Sequence, residues 1–269
     1  MRVLLTNDDG ISAEGLQALR RALLELPGIS LGVIAPDGNR SAMARSITTR
    51  RPLWVEEIDF EDGSVGFATD GTPVDCVRLA NLGLIPDWEP ELVVAGINHG
   101  TNIGDDITYS GTVAAALEGI VLGIPGIAVS QQSSGLEMDF RKPLAFDFTA
   151  AAAFTAGLVE DLANLPLARG TLLNVNFPGC DPEGVTVARL GRRFYRDELE
   201  VVEEAGPKRR RYRVYGQTAE GAPDETDTDV VALLARHVAI TPLHFELTHH
   251  DGLAAFAAHD LERLLGSHE

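Results

Sequence analysis

The opening strand–helix–strand pattern constrains this chain more than any other feature. Arg2 to Thr6 is a short apolar run of strand length. From Glu14 to Leu26, the residues Leu16, Leu19, Leu23 and Leu26 recur at helical spacing until Pro27-Gly28 stops them. Leu31 to Ala35 is a second apolar run. Two buried strands joined by an amphipathic helix favour parallel pairing with the helix packed on one face. The expected fold class is therefore α/β, with a Rossmann-like, mostly parallel sheet flanked by helices.

The rest of the chain extends that pattern. Pro52 to Ile58, Val65 to Thr69, Leu92 to Ala95, Gly126 to Ser130 and Thr171 to Phe177 read as further strands. Thr72 marks a helix start, with Pro73 at its first position and Asp75 three residues past the cap. Helices are expected from about Thr112 to Leu122 and from Phe146 to Leu165. After Pro178 the texture changes. Phe194 to Val202 and Arg209 to Tyr215 bracket Glu204-Ala205-Gly206-Pro207 as a long hairpin, acidic on one limb and basic on the other. A strand from Val238 to Leu243 and a terminal helix from Leu253 to Leu265 follow. We divide the chain into a catalytic region, 1–180, and a C-terminal extension, 181–269, forming one structural unit. The hairpin arm (about 194–215) and the terminal helix are read as oligomerisation elements.

Composition excludes some roles. With 22 basic and 40 acidic residues the formal charge is −18. Such a surface repels a polyanion, so no nucleic-acid polymer is expected as a partner. No window offers the ~20 apolar residues of a membrane span, so no membrane partner is expected. The first strand runs straight into Asn7-Asp8-Asp9 with no secretory leader. Cys76 and Cys180 read as reduced thiols, and the expected location is the cytoplasm.

The chemistry-bearing residues follow the apolar runs. Asp8 and Asp9 close the first strand ahead of Gly10. Ligands of open α/β sheets bind outside the carboxyl ends of the strands. Two crowded carboxylates there call for a cation, and hard oxygen ligands favour Mg²⁺ or Mn²⁺. A capping turn for the following helix is the other reading. Pro36 to Ser41 follows the second strand, and its Asn39 and Ser41 offer oxygens to a metal or donors to a phosphate. The most informative stretch is the polar, glycine-rich segment from Gly96 to Ser110, which leads into a helix through Ser110-Gly111-Thr112. Its glycines permit a nest of inward N–H groups, and a helix N-terminus binds phosphate. The hydroxyls of Ser110 and Thr112 add donors. His99 lies in the same segment, whereas His249-His250-Asp251 reads as a surface turn. There is no GxxxxGK[ST] or HExxH pattern, no GxSxG marks a nucleophile elbow, and the first strand lacks DxDx[TV].

Taken together, LLTNDDG, APDGNRS, GTPVDCV, the block GINHGTNIGDDITYSGTVAAALEG from Gly96 to Gly119, and AITPL resemble the stationary-phase survival protein E family, SurE. They occur in family order over nearly the whole chain. The resemblance implies a metal-dependent nucleotidase acting on nucleoside 5′- and 3′-monophosphates, with activity on short polyphosphate in some members. It implies one divalent cation on Asp8, Asp9, Ser41 and Asn98, and phosphate contacts at Asn102, Ser110, Gly111 and Thr112. We add Asn39 as a substrate-binding candidate and assign the catalytic role to Asp8 and Asp9. A homodimer or homotetramer exchanging C-terminal segments is also implied. The chain departs from the family's usual RSGAS at Ala42-Met43. A non-catalytic nucleotide-binding or sensing module is the alternative from another class.

Overall fold

Alternate residues of the first strand enter opposite faces of one sheet, because side chains in a strand alternate with period two. The computed structural model describes residues 1–135, 145–196, 199–206, 208–214, 217–221, 225–259 and 261–265. In β1 (Arg2–Thr6), Val3 and Leu5 join one apolar cluster and Leu4 another, all three fully buried. The first cluster is closed by Leu16, Leu19 and Leu23 of α1 (Glu14–Leu24). Their burial contributes roughly 1.5–3 kcal/mol each. The strand β2 (Ser30–Pro36) pairs parallel with β1, as the opening motif requires.

Next come β3 (Val55–Asp59) and β4 (Val65–Thr69), which pair antiparallel, and β4 joins β2 in parallel. The helix α2 (Pro73–Asn81) begins in a capping box: the Thr72 hydroxyl accepts from the Asp75 N–H, and the Asp75 carboxylate accepts from the Thr72 N–H. Its Cys76, Val77 and Ala80 cover the second cluster, with Ala115 of α3 (Gly111–Val121) beside them. The strand β5 (Leu92–His99) lies on the other side of β1, followed by β6 (Gly126–Gln131) and β7 (Thr171–Phe177), all parallel. Between these last two, α4 (Thr149–Glu160) packs on the α1 face through Ala151, Ala152 and Val159.

Beyond residue 180, β8 (Gly184–Val187) and β13 (His237–His244) complete the nine-stranded sheet, in the order β3-β4-β2-β1-β5-β6-β7-β13-β8. The arm holds β9 (Arg193–Arg196), β10 (Glu200–Glu204), β11 (Arg210–Arg213) and β12 (Gln217–Gly221), with β10 on β11 and β9 on β12. The expected charge pairing across it is present as Arg213–Glu200 at 2.7 Å, Arg211–Glu203 at 2.9 Å and Arg210–Glu204 at 2.8 Å. These pairs are exposed and contribute a few tenths of a kcal/mol each. Asp197, Glu198, Pro207 and Tyr215 of the expected hairpin lie outside the described residues, and its first limb, Phe194 to Val202, is divided between β9 and β10. A short helix, α5 (Asp229–Leu234), precedes β13, and α6 (His250–Ala257) follows it.

Several boundaries differ from the sequence reading. α4 begins at Thr149, three residues later than expected, because the Asp147 carboxylate takes the Thr149 N–H at 2.9 Å and Phe146 and Phe148 stack outside the helix on His99. It also ends earlier, at Glu160, before a 3-10 turn at Leu162–Asn164. β5 runs on to His99: past a register shift its Asn98 and His99 pair with Ser130 and Gln131 of β6, so the expected loop is shorter. The terminal helix is α6, which starts where the His249 side chain accepts the Gly252 N–H and stops at Ala257, with a separate turn at Glu262–Leu265. The helix α5 lacked an apolar run long enough to be expected from sequence.

Candidate active site

From β1 the chain moves to β2 and β4 on one side and then returns through α2 to β5 on the other, so the sheet order reverses between β1 and β5. Such a switch point opens a crevice at the carboxyl ends of the strands. Asp8 and Asp9 follow β1 into that crevice, the segment 37–41 follows β2, and Asn98 closes β5. The Asn7 side chain staples the first turn, donating to the Gly10 carbonyl at 2.9 Å and accepting the Gly10 N–H at 3.2 Å. Gly10 has φ of 109°, a conformation that favours glycine. A Cβ on it would lie 3.1 Å from the Gly38 Cα, so the turns after β1 and β2 touch.

Asp8 is 3% exposed. Its Oδ1 accepts from the Thr112 hydroxyl at 2.5 Å, and its backbone carbonyl accepts from the Arg40 N–H at 2.6 Å. Burial, then the neighbouring Asp9 charge, push the Asp8 carboxyl up to about 6, against the Thr112 hydroxyl and the N–H groups of Asp8 and Gly111. Asp9 is half-buried and differently held: its Oδ1 accepts from Asn39 at 3.2 Å and its Oδ2 from the His99 N–H at 3.0 Å. The two carboxylates are thus oriented by donors from β5, α3 and the turn after β2.

The start of α3 presses on Asp8. A Cβ added to Gly111 would come within 2.7 Å of the Asp8 Cβ and 2.9 Å of its Oδ2. Gly111→Ala is expected to push the carboxylate and helix start apart and to lower activity by two orders of magnitude or more, since misplacement of about 1 Å can cost ~10²-fold. Steady-state kinetics on a variant with an unchanged circular dichroism spectrum measures this; activity within threefold of the wild type would refute the close approach.

The remaining candidates gather at the same edge with different neighbours. Asn98, half-buried, donates its amide to the Gly100 carbonyl at 2.8 Å. Ser41 is exposed, and its N–H donates to the Asn39 Oδ1 at 2.9 Å. Ala42 beside it adopts φ of 58°, the region where glycine is favoured. The Ser110 hydroxyl caps α3 by accepting the Val113 N–H at 3.1 Å. The Thr112 hydroxyl is directed at Asp8. Asn102 is buried: its side chain donates to Ser130 at 2.8 Å, and its carbonyl accepts from both Asn174 and Asn176.

Several of these supporting residues were not read from the sequence. Asn174 and Asn176 are two apart in the apolar run TLLNVNF, so they share one sheet face. Two amides on one face of a buried strand must bond something there, and that signal was available. His99 accepts the Gly15 N–H at 3.3 Å through Nε2 and stacks on Phe146 and Phe148. Asp229 is fully buried and accepts the N–H groups of Gly104 and Gly191, each at 2.8 Å, tying the central segment to the root of the arm.

A divalent cation fits this donor set. Among the described residues no three His, Cys, Asp or Glu side chains gather as a metal site. A cation here would draw on two carboxylates and neutral oxygens, an all-oxygen set suited to a hard ion. Burial and the Asp9 charge raise the Asp8 carboxyl, an effect that a cation beside it would offset.

The family model described as Survival protein SurE matches residues 3–197. This chain belongs to the SurE family. A 5′-nucleotidase SurE from Rubrobacter xylanophilus is 50% identical, covering 98% of this chain and 99% of that protein. One from Herpetosiphon aurantiacus is 46% identical over 93% of this chain and 95% of its own length. The crystal structure of the SurE protein from Aquifex aeolicus superposes with a TM-score of 0.78 at 34% identity, covering 99% of this chain and all of that one. The SurE architecture therefore runs through the arm and the C-terminal strand as well as the parallel core.

Proposed function

We propose that this chain hydrolyses nucleoside 5′-monophosphates, and 3′-monophosphates as well, to nucleoside and phosphate. It is a 5′-nucleotidase, as its SurE relatives are named. The observation that carries the site reading is the buried Asp8 carboxylate beside Asp9, pressed against the N-terminus of α3. Asp8, Asp9, Ser41 and Asn98 would hold one divalent cation, Mg²⁺ or Mn²⁺. When bound, such a cation polarises the phosphate and lowers the pKa of a water.

The chain's own groups do the rest. The start of α3 at Ser110-Gly111-Thr112, with the positive end of its dipole, would hold the phosphate oxygens. Asn102 is fixed for the same task by Asn174, Asn176 and Ser130, and Asn39 lies beside Asp9. Thr112 orients Asp8, while Asn39 and the His99 N–H orient Asp9. Positioning and electrostatics then carry most of the rate, as in phosphoryl transfer generally.

The expected partner is a further copy of the chain, as a homodimer or homotetramer built on the arm and the C-terminal segment. Leu247, Leu253, Phe256 and Leu264 expose 83%, 61%, 66% and 72% of their surface, which supports a covered role for that segment. Among the described residues no helix is long and apolar enough to cross a membrane.

Phosphate release from a panel of 5′- and 3′-nucleotides and short polyphosphate, with Mn²⁺, Mg²⁺ or excess chelator, tests the proposal. Metal-dependent release that chelator abolishes is expected. Nucleotide binding without release under any metal would replace it with a sensing module.

A further inference from the structure

A second cleft opens on the same edge of the sheet, next to the segment that carries Asn39 and Ser41. It has a volume of about 380 Å³ and is lined by Asp37, Trp54, Glu56, Thr69 and Asp70, among others. That size falls within the ~300–1,000 Å³ of small-ligand pockets. Asp37 follows β2 and Asp70 follows β4, and β2 and β4 are parallel neighbours of β1. The cleft therefore shares the carboxyl edge with Asp8 and Asp9. The turn 37–41 reaches both: Asp37 lines the cleft, Gly38 lies against Gly10, and Asn39 bonds Asp9. A larger cleft of about 750 Å³, lined by Arg189, Thr241 and His244 among others, is at the opposite edge, where β13 meets the start of β7.

The walls of the smaller cleft are built rather than incidental. The Trp54 N–H donates to the Asp70 Oδ1 at 2.9 Å, and the Asp70 N–H donates back to the Trp54 carbonyl at 3.4 Å. This holds the tryptophan backbone in place while the residue is 81% exposed. An aromatic ring left in water on an anchored backbone forgoes the apolar contact that tryptophan ordinarily makes. Asp37 is paired with Arg40 at 2.5 Å, and Asp70 with Arg51. These pairs offset two of the three carboxylates that line the cleft, and the third, Glu56, is exposed to solvent, which screens it. In doubly wound folds a nucleoside commonly extends from the switch point across the end of the second strand, the path from Asp8 to this cleft.

We propose that this cleft is the nucleoside subsite: the base of the substrate stacks on Trp54 while its phosphate reaches the Asp8–Asp9 site. The inference rests on the nucleotidase reading and extends it to what the enzyme recognises beyond the phosphate. Base–aromatic stacking contributes about 1–3 kcal/mol per base and tolerates any base. Trp54 thus selects nucleotides as a class over phosphomonoesters that lack a base.

The test compares AMP with ribose 5-phosphate in the wild type, Trp54→Ala and Trp54→Phe. Trp54 is exposed, so the fold is expected to survive either change. In Trp54→Ala, KM for AMP should rise roughly tenfold, with kcat within twofold and ribose 5-phosphate kinetics unchanged. Trp54→Phe should restore most of the lost affinity. As a readout without turnover, AMP added in excess chelator should quench tryptophan fluorescence in the wild type and not in Trp54→Ala. Equal losses on both esters, or an unchanged AMP KM together with no quenching, would overturn the subsite. Failure of the nucleotidase reading is seen separately, as a wild type that releases phosphate from neither ester. The fluorescence titration then decides the cleft alone: AMP quenching that Trp54→Ala loses supports it, and no quenching overturns it.

Discussion

Asp8→Asn is expected to abolish phosphate release and, without metal, to make the protein more stable than the wild type. Both results follow from one buried carboxyl. Asp8 is 3% exposed, and burial together with Asp9 raises its carboxyl from 3.8 to about 6. A carboxyl whose folded pKa exceeds its unfolded one favours the native state most below the unfolded value. That advantage is lost as pH rises through the folded value. Near pH 8 the ionised group therefore burdens the native state, at ~1.4 kcal/mol per pKa unit, by about 3 kcal/mol as an upper figure. Asparagine removes the charge yet keeps an oxygen for the Thr112 hydroxyl. In chelator near pH 8, thermal unfolding of the variant should rise by several degrees, since ~1 kcal/mol moves a domain of this size by about 2–4 °C. Activity should fall by more than about a thousandfold. That exceeds the roughly 10- to 100-fold cost of losing a group that only supports a ligand. Wild-type turnover would sink the metal role of Asp8, and a lower melting point in chelator would show that its charge is well satisfied without metal.

How far the sequence discloses such a site depends on whether the signal is local. The opening motif was legible because Leu16, Leu19 and Leu23 repeat at helical spacing and each is fully buried. Thr72, Pro73 and Asp75 announced α2 because a capping box lies within four residues. The placing of Asp8, Asp9 and Asn39 beside one another followed from a topological rule about strand ends. Asn98 was harder. Gly96 suggested that β5 had ended, but pairing with Ser130 and Gln131 carries the strand on. A glycine in a strand marks a bulge as readily as a stop, and only the neighbouring strand distinguishes them. Asp229 was illegible for a similar reason: its partners Gly104 and Gly191 lie 125 and 38 residues away. Trp54 could be read as an apolar residue in a strand-like run, and nothing local said that it would remain 81% exposed. Residues whose role is set by distant backbone are the part of a site that one sequence does not disclose.

Cation binding at the proposed site should depend on pH through the same carboxyl. A metal ligand must be deprotonated, so a proton on Asp8 competes with the cation. With the carboxyl near 6, a cation meets an ionised Asp8 near pH 8 and a mostly protonated one near pH 5. Apparent affinity for Mg²⁺ or Mn²⁺ should be flat above about pH 7 and fall about tenfold per unit below 6, one proton being displaced. Calorimetry should accordingly find close to one proton released per cation near pH 5 and almost none near pH 8. Thermal stabilisation follows the same course: a cation at one hundred times its dissociation constant adds about 2.7 kcal/mol, so a fixed concentration should protect strongly near pH 8 and weakly near pH 5. Asp8→Asn should lose both the protection and its pH dependence, which separates this carboxyl from Asp9. Affinity that stays level from about pH 5 to 8 would mean that Asp8 is not a ligand. In that case the buried carboxyl would serve to hold the Thr112 hydroxyl and the start of α3 in place, and the acid limb of activity would have to originate in the phosphate.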